Sequence, residues 1–199
     1  MTRSDARVIV YLHGFRSSPQ SRKAQVLREH LQKRGLADQY LCPALPASPR
    51  AASQLALDAA RTESPDQVAL IGSSLGGYYA TWVAEKLGCR AVLLNPAIDP
   101  ARDLQAHIGR QPVFLSDDEI DFRPEYIEEL RTLDTRVTRP ERYFLIAATG
   151  DTVIDYRMMV AKYQGARQIV IEGGNHELSA FAPYVDEVLS FCGIDREFE

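Results

Sequence analysis

The segment from Val68 to Ala80 constrains this chain more than any other. Val68-Ala69-Leu70-Ile71 is a short apolar run of strand formers, Gly72-Ser73-Ser74-Leu75-Gly76 follows it, and Gly77-Tyr78-Tyr79-Ala80 opens a stretch of helical character. Strand, sharp turn and helix form the context that a G-x-S-x-G nucleophile elbow requires. Such a turn forces the central residue, Ser74, into a strained backbone conformation, and side chains at Gly72 and Gly76 would collide with neighbouring backbone. Ser74 is therefore expected at the tip of the turn with its hydroxyl exposed. The N–H of Leu75, at the start of the helix, is expected to face a developing oxyanion. The pentapeptide alone does not decide the matter, because a Gly/Ser-rich strand-to-helix turn also serves in phosphate-binding loops.

The surrounding chain supplies a consistent frame. Val8-Ile9-Val10-Tyr11-Leu12 is a continuous apolar run, the mark of a strand covered on both faces, and it ends at His13-Gly14-Phe15. A helical stretch of about fifteen residues then closes at Gly35. Further strands are expected at Gln39 to Pro43, Val68 to Ile71, Ala91 to Leu94, Arg142 to Ala148 and Gln168 to Glu172. Helices are expected from Ala51 to about Ala60, after Ser74 to about Lys86, from Asp155 to Tyr163 and from Leu178 to Phe191. Strands alternating with helices imply a mostly parallel sheet of about six strands with helices on both faces. From Asp99 to about Pro140 the pattern changes to a charged segment with one helix, Pro124 to Leu133, and no strand. The length of 199 residues suits one α/β domain, residues 1–199, with a small cap or insertion at about 99–140.

In such a sheet the functional residues gather in loops at the carboxyl ends of the strands. Four such loops carry complementary chemistry: His13-Gly14-Phe15, Ser74, Asp151 and His176, with Ser, Asp and His in the chain order that hydrolases of this topology use. A serine hydroxyl attacks a carbonyl only when an imidazole takes its proton, a role that suits His176. The imidazole needs a buried carboxylate on its other nitrogen, and Asp151, Asp155 and Asp99 are the candidates. Asp151 is favoured, because Asp155 reads as a helix N-cap and Asp99 lies beyond Pro96. Oxyanion donors are assigned to the backbone N–H groups of Leu75 and Phe15, with His13 and Gly14 shaping the loop that presents Phe15. Tyr78 and Tyr79 read as packing residues and Arg16 as a solvated loop residue.

Composition narrows the partners. A net charge of −4 leaves no basic footprint for nucleic acid, and no apolar run approaches the length of a membrane span. The polar N-terminus, Met1 to Arg7, leads straight into a strand, so no signal peptide is expected. Cys42, Cys89 and Cys192 read as small apolar residues in a reducing compartment, so a cytoplasmic protein is expected. Asp117-Asp118-Glu119-Ile120-Asp121 lacks the spacing of a calcium loop, so no metal is expected. No dinucleotide or triphosphate fingerprint is present, so no cofactor is expected either.

Tyr11-Leu12-His13-Gly14-Phe15, Ser17-Ser18-Pro19, Gly72 to Trp82, Asn95-Pro96-Ala97, Thr149-Gly150-Asp151 and Glu172-Gly173-Gly174-Asn175-His176 together resemble the YqiA-type bacterial esterases of the α/β-hydrolase superfamily. The resemblance spans nearly the whole chain and is weak between about Asp99 and Pro140. It implies a compact α/β-hydrolase fold lacking the two leading strands of the full fold, with a small cap. It also implies hydrolysis of small acyl esters or thioesters, with Ser74, Asp151 and His176 as a catalytic triad. Amidase or peptidase chemistry would use the same residues, as would peroxide-dependent reactions. A non-catalytic binding protein on this fold is the alternative of a different class.

Overall fold

The computed structural model describes residues 7–194. Six strands form one parallel sheet: β1 (Val8–Leu12), β2 (Tyr40–Leu41), β3 (Val68–Ser73), β4 (Arg90–Leu94), β7 (Tyr143–Ala148) and β8 (Arg167–Ile171). Their order is β2-β1-β3-β4-β7-β8. The chain first winds from β1 to β2, then crosses back over β1 to β3 and continues in the opposite direction. The order therefore reverses between β1 and β3, which opens a crevice at the carboxyl ends of these two strands.

Alternation along the strands explains how the sheet is covered. Val10, Leu12, Leu70, Leu93 and Leu145 face one way, against α2 (Pro49–Ala60), α3 (Leu75–Leu87) and α6 (Tyr156–Lys162). Ile9, Tyr11, Ile71, Val92 and Ile146 face the other, against α1 (Arg22–Lys33) and α7 (Val185–Phe191). Successive side chains of a strand point to opposite faces, so runs apolar at every position are what a sheet buried on both sides demands. The six sheet strands fall where the apolar runs place them, within about two residues at each end. All three cysteines are free: Cys89 and Cys192 are buried and Cys42 is partly exposed. Among the described residues, no helix is long and apolar enough to cross a membrane.

Two expectations need correction. The segment after Asp99 is not strandless: β5 (Gly109–Pro112) and β6 (Glu119–Phe122) pair antiparallel as a separate hairpin, between the short helix α4 (Pro100–Asp103) and α5 (Glu125–Thr132). The last helix does not begin at Leu178. That residue sits at φ 52°, in the left-handed region that no helix accommodates. Ala182–Tyr184 then forms one 3₁₀ turn, and α7 starts only at Val185.

Candidate active site

β3 ends at Ser73, and Ser74 follows at φ 53°, ψ −121°. A non-glycine residue holds this conformation only where its surroundings over-determine it. They do so here. The Ser74 N–H donates to the carbonyl of Leu94 (3.0 Å), and its own carbonyl accepts from the N–H groups of Gly77 and Ala97 (both 2.9 Å). The glycines on either side allow close approach of backbone. A methyl group on Gly72 would lie 2.3 Å from the carbonyl oxygen of Gly76, and one on Gly76 would lie 2.0 Å from that of Leu12. On the β1 side, a methyl group on Gly14 would meet the Ser74 Cβ at 3.1 Å, so the loop after β1 lies directly against the serine.

Three loops bring the polar groups together. Ser74 Oγ is 2.9 Å from Nε2 of His176, and His176 Nδ1 is 2.7 Å from Oδ2 of Asp151. The Asp151 side chain is wholly buried. Its second oxygen, Oδ1, accepts from the N–H groups of Val153 (2.8 Å) and Ile154 (2.9 Å). Both carboxylate oxygens are thus engaged by donors, which fixes the plane of the group. The other two candidate acids lie elsewhere. Asp155 caps α6 by accepting from the Arg157 N–H, and Asp99 caps α4 by accepting from the Arg102 N–H.

His13 is buried and faces away from this relay. Its Nε2 accepts from the Leu45 N–H at 3.0 Å, which leaves the proton on Nδ1, 3.1 Å from the Gly14 carbonyl. Burial lowers its pKa from the usual histidine range, in keeping with a neutral ring that holds a loop. The N–H groups of Phe15 and Leu75 are not engaged in backbone hydrogen bonds with any described residue. The Phe15 ring packs edge-on against Phe122 of the hairpin (5.1 Å between centroids). Tyr78 and Tyr79 are buried, and the Tyr78 hydroxyl donates to the Leu130 carbonyl. Arg16 is not a free loop residue. Its Nε donates to the Pro112 carbonyl at 2.8 Å, its carbonyl accepts from the Phe114 N–H at 2.7 Å, and its guanidinium lies over the Phe114 ring. The hairpin is thereby pinned to the loop that follows β1.

No positioning role is assigned to Asn95 from sequence: it follows the fourth apolar run and stands among the stretches that carry the family resemblance. Asn95 is fully buried at φ 43°. Its Oδ1 accepts from the Ala148 N–H (2.9 Å), and its Nδ2 donates to the carbonyls of Asn175 (3.0 Å) and His176 (3.1 Å). It ties the end of β4 to β7 and to the loop that carries His176. The available signal was a polar residue, tolerant of the left-handed region, closing an all-apolar run. Asn95→Ala removes these three bonds, leaving the buried Ala148 N–H and the part-buried His176 carbonyl without this partner and the Asn175 carbonyl with only the Leu178 N–H. It is expected to destabilise the fold by about 3 kcal/mol, which for a chain of this size lowers Tm by roughly 6–12 °C in a thermal melt.

A cavity of about 460 Å³ opens beside Ser74 and His176, walled largely by apolar side chains that include Val26, Phe114, Leu178 and Phe181.

This geometry can be set beside known proteins. The model of the uncharacterised protein family UPF0227 matches residues 8–193. The chain belongs to UPF0227. A UPF0227 protein of Serratia proteamaculans (strain 568) is 25% identical over 198 residues, covering 92% of this chain and 98% of the relative. Among solved structures, a protein of Agrobacterium vitis S4, provisionally designated a hydrolase, superposes with a TM-score of 0.75 at 16% identity, covering 96% of this chain and 89% of the other. Est1E of Butyrivibrio proteoclasticus, in a structure with ferulic acid bound, gives 0.68 at 16% identity, covering 94% and 90%. The fold of this UPF0227 member is that of the α/β-hydrolases, as the YqiA-type resemblance implied.

Proposed function

We propose that this UPF0227 member is a serine hydrolase that cleaves carboxylic esters or thioesters of small acyl substrates through an acyl-enzyme. Ser74 is the nucleophile, His176 the general base and acid, and Asp151 the carboxylate that orients and stabilises the imidazole. The N–H groups of Phe15 and Leu75 form the oxyanion hole. The observation that carries this reading is the unbroken relay from the strained Ser74 hydroxyl through His176 to the buried Asp151.

The chemistry follows from the donors and acceptors. Asp151 Oδ2 accepts the Nδ1 proton of His176, which leaves Nε2 with a lone pair facing the Ser74 hydroxyl. As Oγ attacks the substrate carbonyl carbon, its proton passes to Nε2 and the carbonyl π electrons move onto oxygen. Two N–H donors stabilise that oxyanion, each worth about 3 kcal/mol when removed singly. Collapse of the tetrahedral species breaks the bond to the alcohol or thiol, which leaves with the proton from Nε2. Water then repeats the sequence on the acyl-enzyme, giving the carboxylic acid and regenerating Ser74.

A fluorophosphonate probe tests the reading directly. One adduct per chain is expected, mapped to Ser74 by peptide mass spectrometry, with its formation slowed by a competing acyl ester. A folded chain that stays unlabelled and hydrolyses no ester overturns the proposal and favours a binding protein.

A further inference from the structure

The cavity beside Ser74 holds charges that the proposed reaction does not use. Arg22 and Lys23, at the start of α1, line it, as do Ser21 and Glu177. Lys23 Nζ donates to the main-chain carbonyl of Glu177, the residue after His176, which keeps the ammonium next to the loop bearing the imidazole. That bond occupies one of three ammonium donors and leaves two for a ligand. Burial lowers the Lys23 pKa to about 8, against the opposing pull of Glu177 and Asp151. Arg22 is exposed and makes no hydrogen bond or ion pair with any described residue. Ser21 is the N-cap of α1, yet its side chain makes no cap bond; its Oγ is shielded from solvent and lies toward the buried Tyr11 hydroxyl. The uncapped first turn adds backbone N–H groups and a positive dipole end to the same wall. Among the residues that line this wall, Arg22 and Lys23 outnumber the Glu177 carboxylate, with the buried Asp151 carboxylate lying behind the imidazole, in a chain whose net charge is −4.

We infer that the cavity selects an ester or thioester bearing an anionic group away from the scissile carbonyl, with Arg22 and Lys23 as its partners. This rests on Ser74 being the nucleophile. The anion stands where the wall has spare donors: the two free Lys23 hydrogens and the Arg22 fork. The apolar wall formed by Val26, Phe114 and Phe181 covers the carbon chain between anion and ester. A bound anion also restores to Lys23 the charge stabilisation that burial removes.

Two matched pairs of phenyl esters test this and separate the two ends of the substrate. For the acyl side, the phenyl monoester of adipic acid is compared with that of adipic monoamide. For the alcohol side, 4-carboxyphenyl butyrate is compared with its 4-carboxamide. At pH 7 and low salt, kcat/KM is expected to favour the carboxylate by about tenfold or more in at least one pair. That ratio falls as salt rises. It also falls as pH rises through about 8, where Lys23 loses its proton. Arg22→Gln lowers the ratio several-fold, and Arg22→Gln with Lys23→Gln takes it to one or below. Glu177→Gln raises it. Because the readout is a ratio within one protein, partial loss of folded enzyme cancels. An enzyme that labels with fluorophosphonate but prefers the neutral ester in both pairs sinks this inference alone, as does a ratio that the Arg22 and Lys23 variants leave unmoved. An enzyme that neither labels nor hydrolyses any of the four esters sinks the hydrolase reading and this one with it.

Discussion

Asp151→Asn is expected to lower kcat by about 10⁴-fold while leaving the melting temperature nearly unchanged. The asparagine is almost the same size, and its carbonyl oxygen can keep the two bonds from the N–H groups of Val153 and Ile154. Its amide nitrogen then takes the place of Oδ2, 2.7 Å from His176 Nδ1. An amide nitrogen only donates, so Nδ1 must offer a lone pair and the ring proton moves to Nε2. An Nε2–H facing the Ser74 hydroxyl cannot accept the proton that attack must release. Flipping the amide does not help, because its NH₂ group would then oppose two backbone donors. Steady-state kinetics on a reactive phenyl ester, with a thermal melt alongside, gives the result. A loss below tenfold in a fully folded variant would mean that Asp151 does not orient the base.

Gly76→Ala is expected to act through the fold, and hard. The added methyl group would lie 2.0 Å from the Leu12 carbonyl oxygen, 2.5 Å from its carbon and 2.6 Å from the His13 carbonyl oxygen. All three atoms are backbone at the end of β1, which is hydrogen-bonded to β3 through the Leu12–Gly72 register, so no side-chain rotation relieves the clash. Helix α3 has to move off the sheet, and its inner face is one of the best-buried surfaces of the molecule. A cost above about 4 kcal/mol is expected, at the upper end of what overpacking produces. Tm then falls by roughly 10 °C or more. The displacement also pulls Leu75 away from the loop that carries Phe15, so any folded fraction loses activity beyond its share of native protein. A variant melting within a few degrees of the parent would show that the interface between β1 and α3 yields more readily than its contacts imply.

The same close packing explains what could be read from the sequence alone. The strands of the main sheet are buried on both faces and so consist of uninterrupted apolar runs, a signal that survives in a single sequence. Ser74, Asp151 and His176 lie at the carboxyl ends of such strands, where position alone marks a functional loop. The geometry also separates the three candidate acids, because Asp99 and Asp155 each spend their side chains on helix caps, a local pattern visible in advance only for Asp155. The hairpin of β5 and β6 is different. Arg110, Pro112, Glu119 and Asp121 are exposed, the inward positions Gly109 and Gln111 carry no apolar side chain, and only Phe122 is fully buried, so the apolar alternation that identifies a half-buried strand is too faint to see. What holds the hairpin is distant in sequence: the Arg16 bonds to Pro112 and Phe114, and the Phe15–Phe122 contact. The late start of α7 was equally hidden, since it depends on Leu178 adopting a left-handed conformation where Leu178 N–H closes a turn onto Asn175. Asn95 and the cationic wall are properties of assembly, formed only when loops 80 residues apart in the chain converge, as the Asn95 bond to Asn175 shows.

The anchoring of the hairpin by Arg16 bears on how relatives could exchange specificity. Residues 109–122 look like a portable cassette, set between α4 and α5, but their docking site is written into the turn after the first strand. A chimaera that grafts another member's insertion onto this scaffold will inherit that member's selectivity only if position 16 travels with it.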